Sequence, residues 1–263
     1  MQSKMKRGFS SPDFWCMILV LFLCFQGYAV PSYISDCINE SIELRQSALS
    51  LTLGGIFFGG LIPLLPFCSA MAYAGNQVDD IRSGFFYLSI LRSSIKRYVV
   101  DKLITAFVCG FFAAVCAFLL HAALWHILAL PYDPIHYSNH EIGFWKESFF
   151  YSWQHIHNGW PIILCIALGM GIAAGVWSVV SLAVAVWIPD KMLVSIIPAC
   201  LFKLWNMQIS LYLVNIGFPG LDTIFNDAQT INEDLSCLLA YGIIFGIAAT
   251  IYYVGVRRRG LYA

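Results

Sequence analysis

Asp79-Asp80-Ile81-Arg82-Ser83-Gly84-Phe85-Phe86-Tyr87-Leu88-Ser89-Ile90-Leu91-Arg92-Ser93-Ser94-Ile95-Lys96-Arg97-Tyr98-Val99-Val100-Asp101-Lys102 separates two long apolar runs. It holds five of the chain's 15 basic residues. Outward from it the chain falls into six apolar stretches, and the remaining Lys and Arg residues repeat the same bias. Lys4, Lys6 and Arg7 precede the first stretch, Lys191 follows the fourth, and Arg257, Arg258 and Arg259 follow the sixth. The alternate gaps hold only Arg45 and Lys146, amid Asp36, Glu40, Glu43, Asp133, Glu141, Glu147, Asp222, Asp227, Glu233 and Asp234. Cytoplasmic loops retain Lys and Arg, so the pattern predicts that both termini and the 75–98 segment lie inside.

Composition agrees. The 263 residues are 59% hydrophobic and 11% charged, with a mean hydropathy of +0.73. Soluble domains carry about 25% charged residues, so this chain has too little polar surface to cover itself in water. Six spans of roughly 20 residues would use about half of it and leave short loops. The reading is an all-α polytopic membrane protein in one domain over residues 1–263. Its spans run roughly 14–34, 51–74, 99–130, 160–188, 192–216 and 235–256. Residues 1–13 form a basic cytoplasmic segment, and 131–159 and 217–235 are polar outer segments. The first apolar stretch has a second reading as a signal peptide, since Gly27-Tyr28-Ala29 offers a small-x-small cleavage pattern. A retained span is preferred because the apolar run continues to Ile34.

The quoted segment reads physically as a polar helix start, a turn at Ser83-Gly84, a short amphipathic helix and a basic re-entry into span 3. Its Phe85/Phe86/Tyr87/Leu88 stripe would lie at the membrane surface, where a soluble partner would dock. In this order of features the chain resembles the membrane subunits of ATP-binding-cassette (ABC) transporters of the type-two export family. Those permeases carry an acidic residue and a Ser-Gly or Gly-Thr pair after the second span, then a short helix and a re-entry close to Arg-x-x-Tyr-x-x-x-Lys. Asp80, Ser83 and Gly84, then Lys96 or Arg97, Tyr98 and Lys102, hold the matching positions. One departure is the basic N-terminal segment, which is short for the amphipathic connecting helix of larger relatives.

The resemblance implies a permease that pairs with a second copy or a homologous permease to enclose a pathway. A cytoplasmic ABC ATPase subunit, carrying ATP and Mg, would dock on a coupling helix between spans 2 and 3. Asp79, Asp80, Arg82, Ser83, Gly84, Arg92, Arg97, Tyr98 and Lys102 would make the docking and coupling site. Export is implied by the same resemblance, as is location in the plasma membrane with neighbouring lipid.

The chain itself contains no G-x-x-x-x-G-K-[ST], and no Lys directly follows a Gly. A phosphate-cradling loop needs both, so no Walker-type ATPase, no catalytic residue and no cofactor are expected on this chain, and nothing in it suggests nucleic-acid binding. No acidic residue falls deep in a predicted span, which argues against an intramembrane hydrolase or a carboxylate proton relay. His121, His126, His136, His140, His155 and His157 gather around the outer end of span 3. His155-x-His157 and His136-x-x-x-His140 would suit a metal, but with Trp125, Trp145, Trp153 and Trp160 nearby an interfacial belt is the preferred reading.

Lys203 is predicted inside span 5. With Asn206 and Gln208 it is a candidate pathway lining, unless the boundary is shifted and the ammonium snorkels to an interface. Of nine cysteines, only Cys37 and Cys237 lie near the outer edge, where a disulfide is conceivable. Two other classes of function stay open: a non-transporting immunity, sensory or scaffold protein, and a self-contained secondary transporter. The latter expects inverted repeats and mid-membrane ion-coupling groups, and neither is evident.

Overall fold

The computed structural model describes residues 8–38, 46–57, 64–129, 157–206 and 231–261, and every regular element among them is helical. The helices are α1 (Pro12–Ile38), α2 (Ala48–Phe57), α3 (Leu65–Arg82), α4 (Phe85–Arg92), α5 (Ile95–Leu128), α6 (Trp160–Trp187), α7 (Lys191–Leu204) and α8 (Ile231–Leu261). A 3₁₀ turn at His157–Gly159 leads into α6.

Among the described residues, four helices are long and apolar enough to cross a membrane: Pro12–Ile38, Ile95–Leu128, Trp160–Trp187 and Ser236–Gly260. Large apolar side chains face outward along them, among them Leu23, Leu120, Leu168 and Ile247. Such a surface is stable against hydrocarbon and not against water. These are the marks of a membrane protein.

The expected six spans are only partly present. Within the stretch assigned to span 2 the described residues form α2 and the beginning of α3, and 58–63 lie outside them. Pro66 explains where α3 begins. A proline suits the first turn of a helix, where its missing N–H would have had no intrahelical partner. α3 also runs to Arg82, so residues 75–82, expected as loop, are its last two turns. Span 5 appears as the 14-residue α7, and residues beyond 206 lie outside the description. The expected outer segments fall mostly at 130–156 and 207–230, also outside the described residues.

α1 continues unbroken through Gly27 and Pro31 and buries Met17, Leu21, Phe25 and Ala29 completely in the bundle. α5 has 34 residues, about 51 Å at 1.5 Å per residue. That exceeds the roughly 30 Å of hydrocarbon, so the helix must tilt or extend beyond it.

α5 and α6 approach each other backbone to backbone. A Cβ on Gly110 would come within 2.8 Å of the Ala174 carbonyl oxygen, and one on Gly175 within 3.0 Å of the Phe107 carbonyl oxygen. Small residues on both helices let the backbones touch, which is how helices associate where no hydrophobic force separates them from lipid.

Cys37 is exposed and Cys237 is buried.

Candidate functional site

The basic positions converge at one end of the bundle. There the C-terminal ends of α3 and α8, the whole of α4, the start of α5 and the 188–191 turn meet. α3 stops because Gly84 takes a left-handed conformation, φ +74°, that a side chain would resist. The Ser83 and Gly84 amides donate to the Asp79 and Ile81 carbonyls, which satisfies the last turn. The chain reverses into α4, and Ser94 then caps α5 by accepting from the Arg97 amide.

α4 is amphipathic in three dimensions. Phe86 is fully buried and meets Tyr98 edge to face, with centroids 5.6 Å apart and planes at 89°. Ile90, on the same side, approaches Gly260 of α8. Phe85, Leu88 and Leu91 are exposed on the other side, Leu91 by 82%. The stripe expected from sequence is thus divided. Phe86 anchors the helix, and Leu91 joins the outward face in its place.

Behind α4 lies a buried polar core. Lys102 Nζ donates to Asp80 Oδ2 at 2.7 Å, with Lys102 5% and Asp80 3% exposed. The ammonium also sits 5.1 Å from the Tyr73 ring centroid and 5.7 Å from that of Tyr98, positions that favour a cation. The Tyr98 hydroxyl donates to Gln77 Oε1 at 3.3 Å. Tyr252 of α8 is fully buried and in electrostatic contact with Tyr98, Tyr73 and Asp80, although no hydrogen bond of good geometry reaches its hydroxyl. This core ties α3, α5 and α8 together.

Around it runs an exposed clamp. Lys191 Nζ donates to Asp79 Oδ2 at 2.8 Å, Arg82 Nε donates to the Pro189 carbonyl at 2.9 Å, and Arg82 Nη2 reaches Asp190 Oδ2 at 3.3 Å. Asp190 also caps α7, accepting from the Met192 and Leu193 amides. Those bonds, Leu193's first, then Met192's and the Arg82 charge, hold its carboxyl below the usual carboxylate range. Two charge pairs of opposite sense thereby fasten the end of α3 to the α6–α7 turn. Trp187 completes the ring: its carbonyl accepts from Arg259 Nη2 and its indole lies under Arg258.

The residues singled out from sequence separate into two groups. Asp80, Tyr98 and Lys102 are brought together, but inside, where a soluble partner cannot reach them. Asp79, Arg82, Ser83, Arg92 and Arg97 are exposed, and Gly84 is half-buried at the turn. Lys203 is exposed on the last turn of α7, Asn206 is half-buried, and Gln208 lies outside the described residues.

Asp190 and its partnership with Arg82 were not anticipated. Nor was the inward turn of His121, fully buried, whose Nδ1 accepts from Gln26 Nε2 of α1 at 3.0 Å. His136, His140 and His155 lie outside the described residues, and among those described no three His, Cys, Asp or Glu side chains converge. No protein-family model, curated protein or solved structure matches this chain.

Proposed function

We propose that the chain is the membrane subunit of an ABC exporter, driven by a separate cytoplasmic ATPase that docks on α4. One observation carries the reading. A short helix with an apolar outward face stands at the basic end of a membrane bundle, yet is locked to that bundle from behind. An unneeded surface helix has no reason to expose Phe85, Leu88 and Leu91 while burying Phe86. A partner with an apolar groove would cover that face, and Arg82, Arg92, Lys96 and Arg97 around it suit an acidic rim.

The mechanism follows from the attachments. Movement of the docked ATPase, powered by ATP and Mg bound there, displaces α4. Phe86 and Tyr98 pass the displacement to α5, and the Asp79–Lys191 and Arg82–Asp190 pairs pass it to the α6–α7 turn. Access to a pathway shared with a second permease copy changes as these helices tilt. In this reading the basic end, with both chain termini, faces the cytoplasm. The chain supplies the pathway and the lever, and no catalytic group.

Affinity purification of the tagged chain in mild detergent, with mass spectrometry and an ATPase assay, tests the reading. A stoichiometric ATPase bound to wild type and lost in a Leu88→Ser/Leu91→Ser variant supports it. A chain that purifies without any nucleotide-binding partner turns the assignment towards a non-transporting membrane protein or a secondary transporter.

A further inference from the structure

An apolar cleft of about 370 Å³ opens on the outer surface of the bundle between α6, α7 and α8. Trp177, Trp187, Trp205, Ile197, Ile247 and Ile251 are among the residues that line it, and no charged side chain does. Trp187 marks one end, beside the 188–191 turn. Trp177 lies ten residues back along α6, about 15 Å deeper. That is half of a hydrocarbon core about 30 Å thick, the depth of a single leaflet.

The shallow end is basic. Arg258 lies over the Trp187 ring at 5.8 Å, and Arg259 donates to the Trp187 carbonyl. Arg257 and Arg258 are exposed, and among the described residues no carboxylate pairs with any of the three arginines. A slot one leaflet deep, apolar throughout and crowned by guanidinium groups that no described carboxylate neutralises, is complementary to an amphiphile with one anionic end. Guanidinium binds phosphate through two parallel hydrogen bonds and stacks on an aromatic face at the same time. Arg258 is placed to do both.

We infer that this cleft is a discrete phospholipid site: one acyl chain lies between Trp187 and Trp177, and Arg258 holds an anionic phosphate headgroup above Trp187. The lipid thereby bridges α6, α7 and α8 at the end of the bundle where the α3–α7 clamp is fastened. The inference rests on the membrane reading and is independent of the proposed transport role.

Tryptophan fluorescence tests it, because the cleft carries its own reporters. The full chain is reconstituted in phosphatidylcholine vesicles, into which acyl-brominated phosphatidylglycerol or acyl-brominated phosphatidylcholine is titrated. Trp15, 62% exposed on α1, reports general contact with lipid and is quenched by either. The cleft adds a saturable component with phosphatidylglycerol, half-complete at about a fivefold lower mole fraction, the preference expected of one engaged arginine.

Trp177→Phe shrinks that component and Arg258→Gln removes the preference. Equal quenching by the two lipids at every mole fraction overturns the site while the membrane reading stands. A preference that survives Arg258→Gln overturns the headgroup assignment. Absence of quenching by either lipid overturns the membrane reading along with it.

Discussion

Lys102 Nζ and Asp80 Oδ2 lie 2.7 Å apart, with neither residue more than 5% exposed, so each charge depends on the other. Removing one partner leaves an uncompensated buried ion, which costs about 3–5 kcal/mol. Asp80→Leu and Lys102→Met are each expected to lower stability by that order. Asp80→Leu combined with Lys102→Met should recover most of the loss, because both desolvation costs vanish together. Thermal unfolding in detergent checks the cycle. Additive losses in the double variant would show that the two side chains act separately.

The outward face of α4 should behave oppositely to its inward face. Phe86→Ala empties a fully buried aromatic site and is expected to cost about 3 kcal/mol, read as lost protection of the 85–92 amides in hydrogen exchange. Leu91→Ser removes a side chain that touches almost nothing and should stay within about 0.5 kcal/mol of wild type. If α4 is a docking helix, Leu91→Ser nevertheless lowers recovery of the ATPase. Unchanged recovery from a stable Leu88→Ser/Leu91→Ser variant would remove the docking face.

This contrast marks how far the sequence could be read. The Ser83-Gly84 turn, the short helix and the start of α5 were legible because local chemistry sets them: a left-handed glycine, a serine cap, a three-to-four-residue apolar repeat. Asp80, Tyr98 and Lys102 were recognisable as a group, but spacing alone does not tell an inward face from an outward one. Asp80, which reads from sequence as a docking residue, is buried. Asp80→Lys therefore probes folding and not partner contact.

The Asp79–Lys191 and Arg82–Asp190 pairs join residues more than 100 positions apart, and no local signal encodes such a meeting.

Gly110 offers a test of the α5/α6 seam. A methyl group there would stand 2.8 Å from the Ala174 carbonyl oxygen and 2.9 Å from Ser178 Cβ. Backbone cannot swing aside as a side chain can, so the helices must separate. Gly110→Ala is expected to cost about 1–3 kcal/mol despite alanine's better helix propensity. Gly242→Ala on α8 has nothing within 4 Å and should be neutral or slightly stabilising. Equal effects of the two substitutions on unfolding temperature would contradict the close approach of α5 and α6.

Asp190 gives the clamp a pH dependence whose sign is fixed. Its carboxyl sits below the ordinary carboxylate range through the Leu193 and Met192 amides and the Arg82 guanidinium. A group depressed in the folded state stabilises it above the unfolded pKa, and that contribution is lost as pH falls through the folded value. The turn should therefore be intact at neutral pH and loosen only in acid, below the usual carboxylate range. Amide exchange at Met192 and Leu193, corrected for intrinsic rates, is expected to accelerate there.

Asp190→Asn keeps a cap of similar preference but cannot titrate. Its protection should start lower, because Arg82 has lost a charged partner, and should lack the acid step. A variant that keeps the wild-type acid step would overturn the assignment of that step to Asp190.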